Sequence, residues 1–429
     1  MPKAIISNRI LLDVSPEQYE SIKLKLTYKL PIYDPKAPGR QGWQITRTYS
    51  TVKPGVMSIP QGRIDLIPEG HEIIDRRRLV PAEFPEPQVP MRNKQIWVYE
   101  QVEDSCFINA KVGWGKTFSA LHIAKKLGQK TLVVVHTKAL LDQWVAETQK
   151  LYGFKPSVIT EGKMDISSII TIGNIQSINK FMSSINDQFG TVILDEAHHC
   201  PATTFTTLMN GMKSRYRIAL SGTLKRKDGR HVMFPDYFSP QVYIPELLDE
   251  TLAPIVQVIK TGITLRGTSW ASKINNLLYD PDYAKFITDI AQHYIDNGHT
   301  VLIPGERVEF VQKCASILGP QCALVTGDTP DRVEVFKSLA DGKHTSLAAT
   351  RSIVSEGYSE NLLSTVILSS PINNDVLLEQ LIGRVQRKYV GKPQPFVVDL
   401  HFSGRGEKIQ NSNRMGFYLE KGWEIRGLI

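Results

Sequence analysis

The chain has 429 residues, 41% of them hydrophobic and 22% charged, with a formal net charge of +8. At roughly 100–200 residues per domain this length predicts two to four globular domains. No apolar run approaches the ~20 residues that cross a bilayer, and four cysteines with no zinc-like spacing exclude a disulfide scaffold. The opening MPKAIISNRILLDVSPEQ has no apolar core ending in a cleavage site. A cytoplasmic location is therefore expected, in the host cytoplasm if the source is viral. The basic surplus is compatible with a polyanionic partner, since phosphate contacts release counterions.

Residues 1–90 read as a small basic α+β accessory domain. SPEQYESIKLKLTYKL predicts a helix opening at Ser15 and then a strand. QITRTYS and RIDLI read as strands, and LVPAEFPEPQVP as a linker. Up to residue 60 there are nine Lys/Arg against four Asp/Glu, interleaved with Tyr28, Tyr33, Trp43 and Tyr49. That mixture suits nucleic acid as well as it suits a small core.

From residue 91 strands and helices alternate, the rhythm of a parallel α/β sheet. TLVVVH, IITIGN, TVILDEA and RIALSGT read as strands, and ALLDQWVAETQKLYG as a helix. The rhythm lapses over 225–283, a Pro-rich stretch of little periodicity. It resumes at TVLIP and continues through ERVEFVQKCASIL, CALVTG, RVEVFKSLADG, SLAAT, STVILSS, VLLEQLIGRVQRK and PFVVDLH, with a helix and a short strand at the tail. The expected domains are 1–90, 91–250 and 251–429.

The sharpest signal is Ala110-Lys-Val-Gly113-Trp-Gly115-Lys116-Thr117, placed between the strand SCFINA and the helix TFSALHIAKKLG. A glycine-rich turn at a helix start offers backbone N–H groups to phosphate. Lys116 would reach the β- and γ-phosphates of ATP and Thr117 would hold Mg²⁺. TVILDEAHHC then places Asp195 and Glu196 at the C-terminal end of an apolar strand, where open α/β sheets bind ligands. Asp195 would hold the metal and Glu196 would polarise the attacking water. His198, His199 and Cys200 are adjacent, and neighbours in sequence rarely aim at one ion.

These residues resemble superfamily 2 helicases of the DEAH type over about 91–400. The fold this implies is α/β, two tandem RecA-like parallel-sheet domains after the small α+β N-terminal domain. MRNKQ is similar to the family's stretch before the phosphate loop, with Gln95 on the adenine. VVVHTKALLDQW and TIGNIQS resemble motifs that touch the nucleic-acid backbone, which implicates Thr137, Lys138, Asn174 and Gln176. Ser221-Gly222-Thr223 resembles the motif coupling hydrolysis to movement, with His198 as a further coupling residue. AATRSIVSEGYSENLL resembles the stretch spanning ATP and nucleic acid, implicating Thr350, Arg351 and Gly357. Ser359 stands where many relatives have the Asp usually assigned the ribose contact. Gln380-Leu-Ile-Gly383-Arg384-Val-Gln-Arg387 matches the arginine-finger motif. Arg384 and Arg387, three apart, are expected on one helical face with Gln380 beside the nucleotide.

Within the superfamily the chain looks like bacteriophage recombination helicases of the UvsW kind, near the RecG and XPB branch. The implied activity is ATP-dependent unwinding or branch migration of single-stranded, forked or branched DNA, with ATP and Mg²⁺, by a monomer. Three other readings stay open: a duplex translocase without strand separation, an RNA helicase, and an ATP-switched clamp. No nuclease carboxylate cluster argues for a restriction enzyme.

Overall fold

The computed structural model describes residues 1–33, 41–111, 114–197, 202–222, 229–245, 251–355 and 362–427. They form two compact units, Met1–Glu246 and Leu247–Ile429.

The first unit opens with β1 (Lys3–Ile6), β2 (Arg9–Asp13), α1 (Pro16–Lys25), β3 (Thr27–Tyr33), β4 (Gln41–Arg47), β5 (Ser50–Lys53), β6 (Val56–Pro60) and β7 (Glu72–Asp75). α1 starts where its capping box predicts: the Ser15 hydroxyl accepts from Gln18 N–H and the Gln18 side chain returns to Ser15. Five strands form a mostly antiparallel sheet in the order β5-β6-β2-β1-β7. Alternation along it buries Ala4, Ile6, Ile10 and Leu12 with Met57 and Ile59 under α1. RIDLI, expected as a strand, instead forms a 3₁₀ turn over Ile64–Leu66. There Gly62 meets the backbone at residues 235–238, and a Cβ on it would lie 2.4 Å from the Pro235 carbonyl oxygen.

The unit continues with α2 (Asn93–Gln101), β8 (Cys106–Asn109), α3 (Lys116–Leu127), β9 (Thr131–Val135), α4 (Lys138–Tyr152), β10 (Ser157–Thr160), β11 (Lys163–Met164), β12 (Ile170–Asn174), α5 (Ile175–Lys180), α6 (Met182–Ile185), β13 (Thr191–Leu194), α7 (Ala202–Gly211), β14 (Tyr216–Ser221), α8 (Phe234–Tyr237) and β15 (Val242–Tyr243). The sheet runs β11-β10-β12-β9-β13-β14-β8-β15 and is parallel except for β11. Its strands are apolar on both faces, as helices on both sides require. Val133, Val135, Ile193 and Leu220 face α2, α3 and α4. Leu132, Val134, Val192 and Ala219 face α5 and α7.

The N-terminal segment is built into this core. Leu30 of β3 belongs to the same buried cluster as Phe107, Phe205 and Phe234. Asp236, fully enclosed, accepts hydrogen bonds from the Tyr28 hydroxyl at 2.8 Å, the Thr48 hydroxyl at 2.5 Å and the Arg63 guanidinium at 3.0 Å. Burial holds its carboxyl above the usual range even with these donors.

The second unit holds β16 (Ile255–Lys260), α9 (Trp270–Leu278), α10 (Pro281–Asp296), β17 (Thr300–Gly305), α11 (Val308–Leu318), β18 (Cys322–Val325), α12 (Arg332–Ala340), β19 (Ser346–Thr350), α13 (Arg351–Ser355), β20 (Leu363–Leu368), α14 (Asp375–Gly383), β21 (Phe396–His401), α15 (Arg405–Glu420) and β22 (Ile425–Arg426). Its parallel sheet runs β18-β19-β17-β20-β21-β16-β22, with buried clusters on both faces. Both large sheets are built of parallel strands, β11 apart, with apolar clusters on either face.

Two expectations change here. The stretch 225–283 contains β16, a six-residue strand pairing along its whole length with β21, and all of α9. Pro254 before it and the irregular residues after 260 mask its alternation. Helix α14 also ends at Gly383 rather than running on to residue 388. Arg384 is its C-cap and Arg387 lies beyond, in a bridge with Thr251. The two arginines therefore do not share a helical face. Gly383 costs about 1 kcal/mol as an interior helical residue. The turn tightens there, with Arg384 N–H bonding Leu381 O and Val385 N–H bonding Ile382 O. Val385 is driven into the core instead.

No helix among the described residues is long and apolar enough to cross a membrane.

Candidate nucleotide and nucleic-acid site

The phosphate loop leaves β8 and enters α3 through Gly115, whose φ of 96° lies in the left-handed region. A side chain there would be strained, and its Cβ would stand 2.4 Å from Gln95 Nε2. Among the described residues no side chain caps α3, and a helix start of this kind offers its first N–H groups to an anion. Lys116 opens the helix. Its ammonium donates to the Ala110 carbonyl at 3.0 Å and stands 3.4 Å from Glu196 Oε1. Thr117 is half-buried on the same turn.

The acidic pair ends β13, with β14 between it and β8. Asp195 is buried. Its Oδ2 accepts from the Trp144 indole N–H at 2.8 Å and its Oδ1 from the Glu196 backbone at 2.9 Å. Burial, and next the neighbouring Glu196 carboxylate, push Asp195 up to about 6; Trp144 and the Lys116 ammonium pull the other way. Glu196 sits at φ 45°, a sparsely populated backbone region for a residue with a side chain. Strain of this kind gathers where function fixes a side chain. β14 ties the two motifs together: the buried Ser221 accepts at its carbonyl from Ala110 N–H at 2.9 Å.

A buried carboxylate, a hydroxyl and an ammonium around an uncapped helix start are the donor set for a nucleoside triphosphate with a divalent cation. Here Lys116 rests on a carbonyl and a carboxylate, the kind of oxygens that a phosphate would replace.

Gln95, expected on the adenine, is buried and committed at both ends. Its Nε2 donates to the Trp114 and Gly115 carbonyls at 3.3 and 3.2 Å, and its Oε1 accepts from Arg92 N–H at 2.8 Å. It braces the phosphate loop. Gly113, His198, Thr223 and Gly357 lie outside the described residues, as do His199, Cys200 and Ser359.

The first unit also brings its four nucleic-acid candidates together. Val135 and Asn174 pair across β9 and β12, so the segments after both strands are neighbours. Thr137 caps α4 by accepting from Leu140 N–H. Asn174 caps α5 through Gln176 N–H and donates to the His136 carbonyl at 3.1 Å. Lys138 and Gln176 are exposed.

In the second unit Thr350 ends β19, half-buried. Arg351 turns inward, donating to Glu306 at 2.6 Å and to the Ser370 hydroxyl at 2.5 Å. It ties together the segments after β17, β19 and β20. Gln380 and Arg384 are buried and Arg387 is half-buried. Trp144 was missed as a functional residue. The motif string contains it, but only the fold brings it to Asp195.

Together the parallel sheet, the phosphate loop and the acidic pair define the class, a phosphate-loop ATPase. Residues 82–226 match the family described as Type III restriction enzyme, res subunit. The chain is 38% identical to a protein of Escherichia phage T5 named as a probable helicase, D10, across 98% of this chain and 95% of that one. It is 26% identical to L396 of Acanthamoeba polyphaga mimivirus, named as a candidate ATP-dependent RNA helicase, over 73% of this chain and 63% of that one. Over 30% of each chain it is 33% identical to the DNA 3'-5' translocase XPB2 of Sulfurisphaera tokodaii. The chain belongs to the superfamily 2 helicases of the phage type and is an ATP-dependent enzyme that unwinds nucleic acid.

Proposed function

We propose that this helicase works on DNA, unwinding or branch-migrating forked and recombination intermediates, with Mg²⁺-ATP as its fuel. The observation that carries the ATP part is the arrangement of Lys116 and the Asp195–Glu196 pair around the uncapped start of α3, with Thr117 on its first turn. Asp195 and Thr117 would hold Mg²⁺, which supplies charge neutralisation on the phosphates. Lys116 would exchange Ala110 and Glu196 for phosphate oxygens. That exchange frees the Glu196 carboxylate to orient water. Gln95 braces the loop, and Gly113, Gly357 and Gln380 would contact the nucleotide. Arg384 and Arg387 serve as the arginines that stabilise the transferring phosphoryl group. His198, Ser221 and Thr223 would pass the change at the acidic pair along β14.

Nucleic acid is held by the segments after β9 and β12, through Thr137, Lys138, Asn174 and Gln176, and in the second unit by Thr350 and Arg351. For Arg351 this requires release from Glu306 and Ser370. Backbone contacts of this kind make binding salt-dependent and weakly sequence-selective. The names of relatives point to both tracks, RNA for L396 and DNA for XPB2. The basic and aromatic N-terminal segment supports a branched substrate.

The test is a panel of ATPase and strand-displacement assays on single-stranded, forked and four-way DNA and their RNA counterparts. The expected result is hydrolysis stimulated by DNA and displacement fastest on branched DNA. Stimulation by RNA alone, or equal rates on every DNA, would overturn the assignment.

A further inference from the structure

The β3–β4 hairpin has one face anchored in the first unit and one facing outward. In an antiparallel pair, residues directly opposite each other lie on the same side. Tyr28 pairs with Thr46 and Leu30 with Gln44; Lys29 pairs with Ile45, Pro31 with Trp43 and Thr27 with Arg47. The first set includes the anchors, with Leu30 in the core and the Tyr28 hydroxyl on Asp236. The second set carries Trp43 at 53% exposure and Ile45 at 62%. The Lys29 ammonium stands 4.9 Å above the Trp43 ring, and Arg47 is exposed beside them. The hairpin is a sheet of two strands. Among the described residues neither Lys29 nor Arg47 has a carboxylate partner. From Thr27 to Arg47 the chain carries Lys29, Lys36, Arg40 and Arg47 against Asp34.

We infer that this outward face binds an unpaired nucleic-acid strand, with bases stacked on Trp43 and Ile45 and phosphates met by Lys29 and Arg47. The chemistry is complementary on both counts. A flat ring and a branched aliphatic chain offer stacking surface to any base, and the cations on the same face answer the backbone charge. The Lys29 ammonium already stands over the Trp43 ring before the strand arrives, so part of the side-chain ordering precedes binding. The anchored face makes the hairpin part of the motor. Tyr28 and Thr48 hold Asp236, which lies downstream of Ser221 on the same chain segment, so a strand captured outside is fixed to the unit that carries the phosphate loop. The inference deepens the proposed role of the N-terminal segment in substrate recognition, and needs from that reading only that the ligand is nucleic acid.

The test uses the full chain, a labelled oligothymidylate and a forked duplex. Trp43→Ala should weaken oligonucleotide binding about tenfold, the scale of one lost base–aromatic stack. Fork unwinding should slow by a similar factor. Trp43→Phe, which keeps a ring, should restore most of both. Arg47→Glu should weaken binding and flatten its salt dependence. The melting temperature should not move in any of the three, since all lie on an exposed face. Unchanged oligonucleotide affinity in Trp43→Ala overturns the inference. So does a Trp43→Ala chain that differs only in passing from dimer to monomer by light scattering, which would make the face a self-association surface. If Trp43→Ala weakens binding while the substrate panel shows no preference for branched DNA, the hairpin surface stands and the branched-DNA reading falls.

Discussion

Asp195 in the first large sheet and Asp399 in the second are both buried carboxylates, and they are treated in opposite ways. Asp399 forms a buried ion pair with Arg414, whose Nε donates to both oxygens at 3.0 Å, and the Tyr418 hydroxyl adds a third donor. The nearby Arg414 holds it below the ordinary carboxylate range despite burial. Asp195 has a tryptophan N–H and a backbone N–H, while the nearest ammonium, Lys116, stands at Glu196. One site is finished within the protein. The other leaves part of its desolvation cost uncompensated, as sites awaiting a cation do.

The strongest challenge to this contrast is Arg384→Ala. If the second unit contributed only finished scaffolding, hydrolysis would be almost unchanged. The proposed role predicts a loss of about 10³–10⁵ in nucleic-acid-stimulated kcat, read by phosphate release. Next in size, Asp399→Asn leaves the Arg414 charge buried without its counter-ion. It should cost about 3–5 kcal/mol in denaturant unfolding. The sign with pH follows from the lowered value. The Asp399 contribution is complete above about pH 4 and is lost as pH falls through its depressed value.

Lys116→Ala tests the unfinished side. It should reduce hydrolysis by about 10²–10³ while leaving unfolding within about 1 kcal/mol of the parent. A large stability loss instead would make Lys116 a structural cation like Arg414. The smallest change in stability is expected from Asp195→Asn. Because the folded value is raised, this group favours the fold below its ordinary pKa and loses that contribution as pH rises through about 6. Removing the charge should therefore raise the melting temperature slightly at pH 8, with EDTA present and no nucleotide, while ending hydrolysis. A lower melting temperature would show that Asp195 is already compensated.

What could be read from the residues alone follows from how local each signal is. A phosphate loop needs a strand, a turn and a helix in immediate succession, so Ala110–Thr117 announces itself. Apolar strands ending in Asp195 or Ser221 do the same. The Ser15 capping box is legible because it closes within four residues. Contacts across long separations have no such signature. Trp144 on Asp195, and Tyr28, Thr48 and Arg63 on Asp236, exist only after the sheet has formed. Strand β16 was hidden because Pro254 and the irregular residues after 260 mask its alternation. The spacing of QLIGRVQR predicts a longer helix than α14 because it stays helical after Gly383 has ended the helix. Gln95 and Arg351 were legible as motif positions, yet their hydrogen bonds to Arg92 and Glu306 were not.

The seating of Leu30 and Tyr28 in the first unit also sets an order of events during synthesis. The small sheet of β1, β2, β5, β6 and β7 is complete by Asp75, but the hairpin's partner Asp236 lies 208 residues beyond Tyr28. At about 5–20 residues per second the ribosome needs roughly 10–40 s to deliver it. Throughout that interval the newborn hairpin shows apolar side chains on both faces, and it is then that holdase chaperones have most to bind.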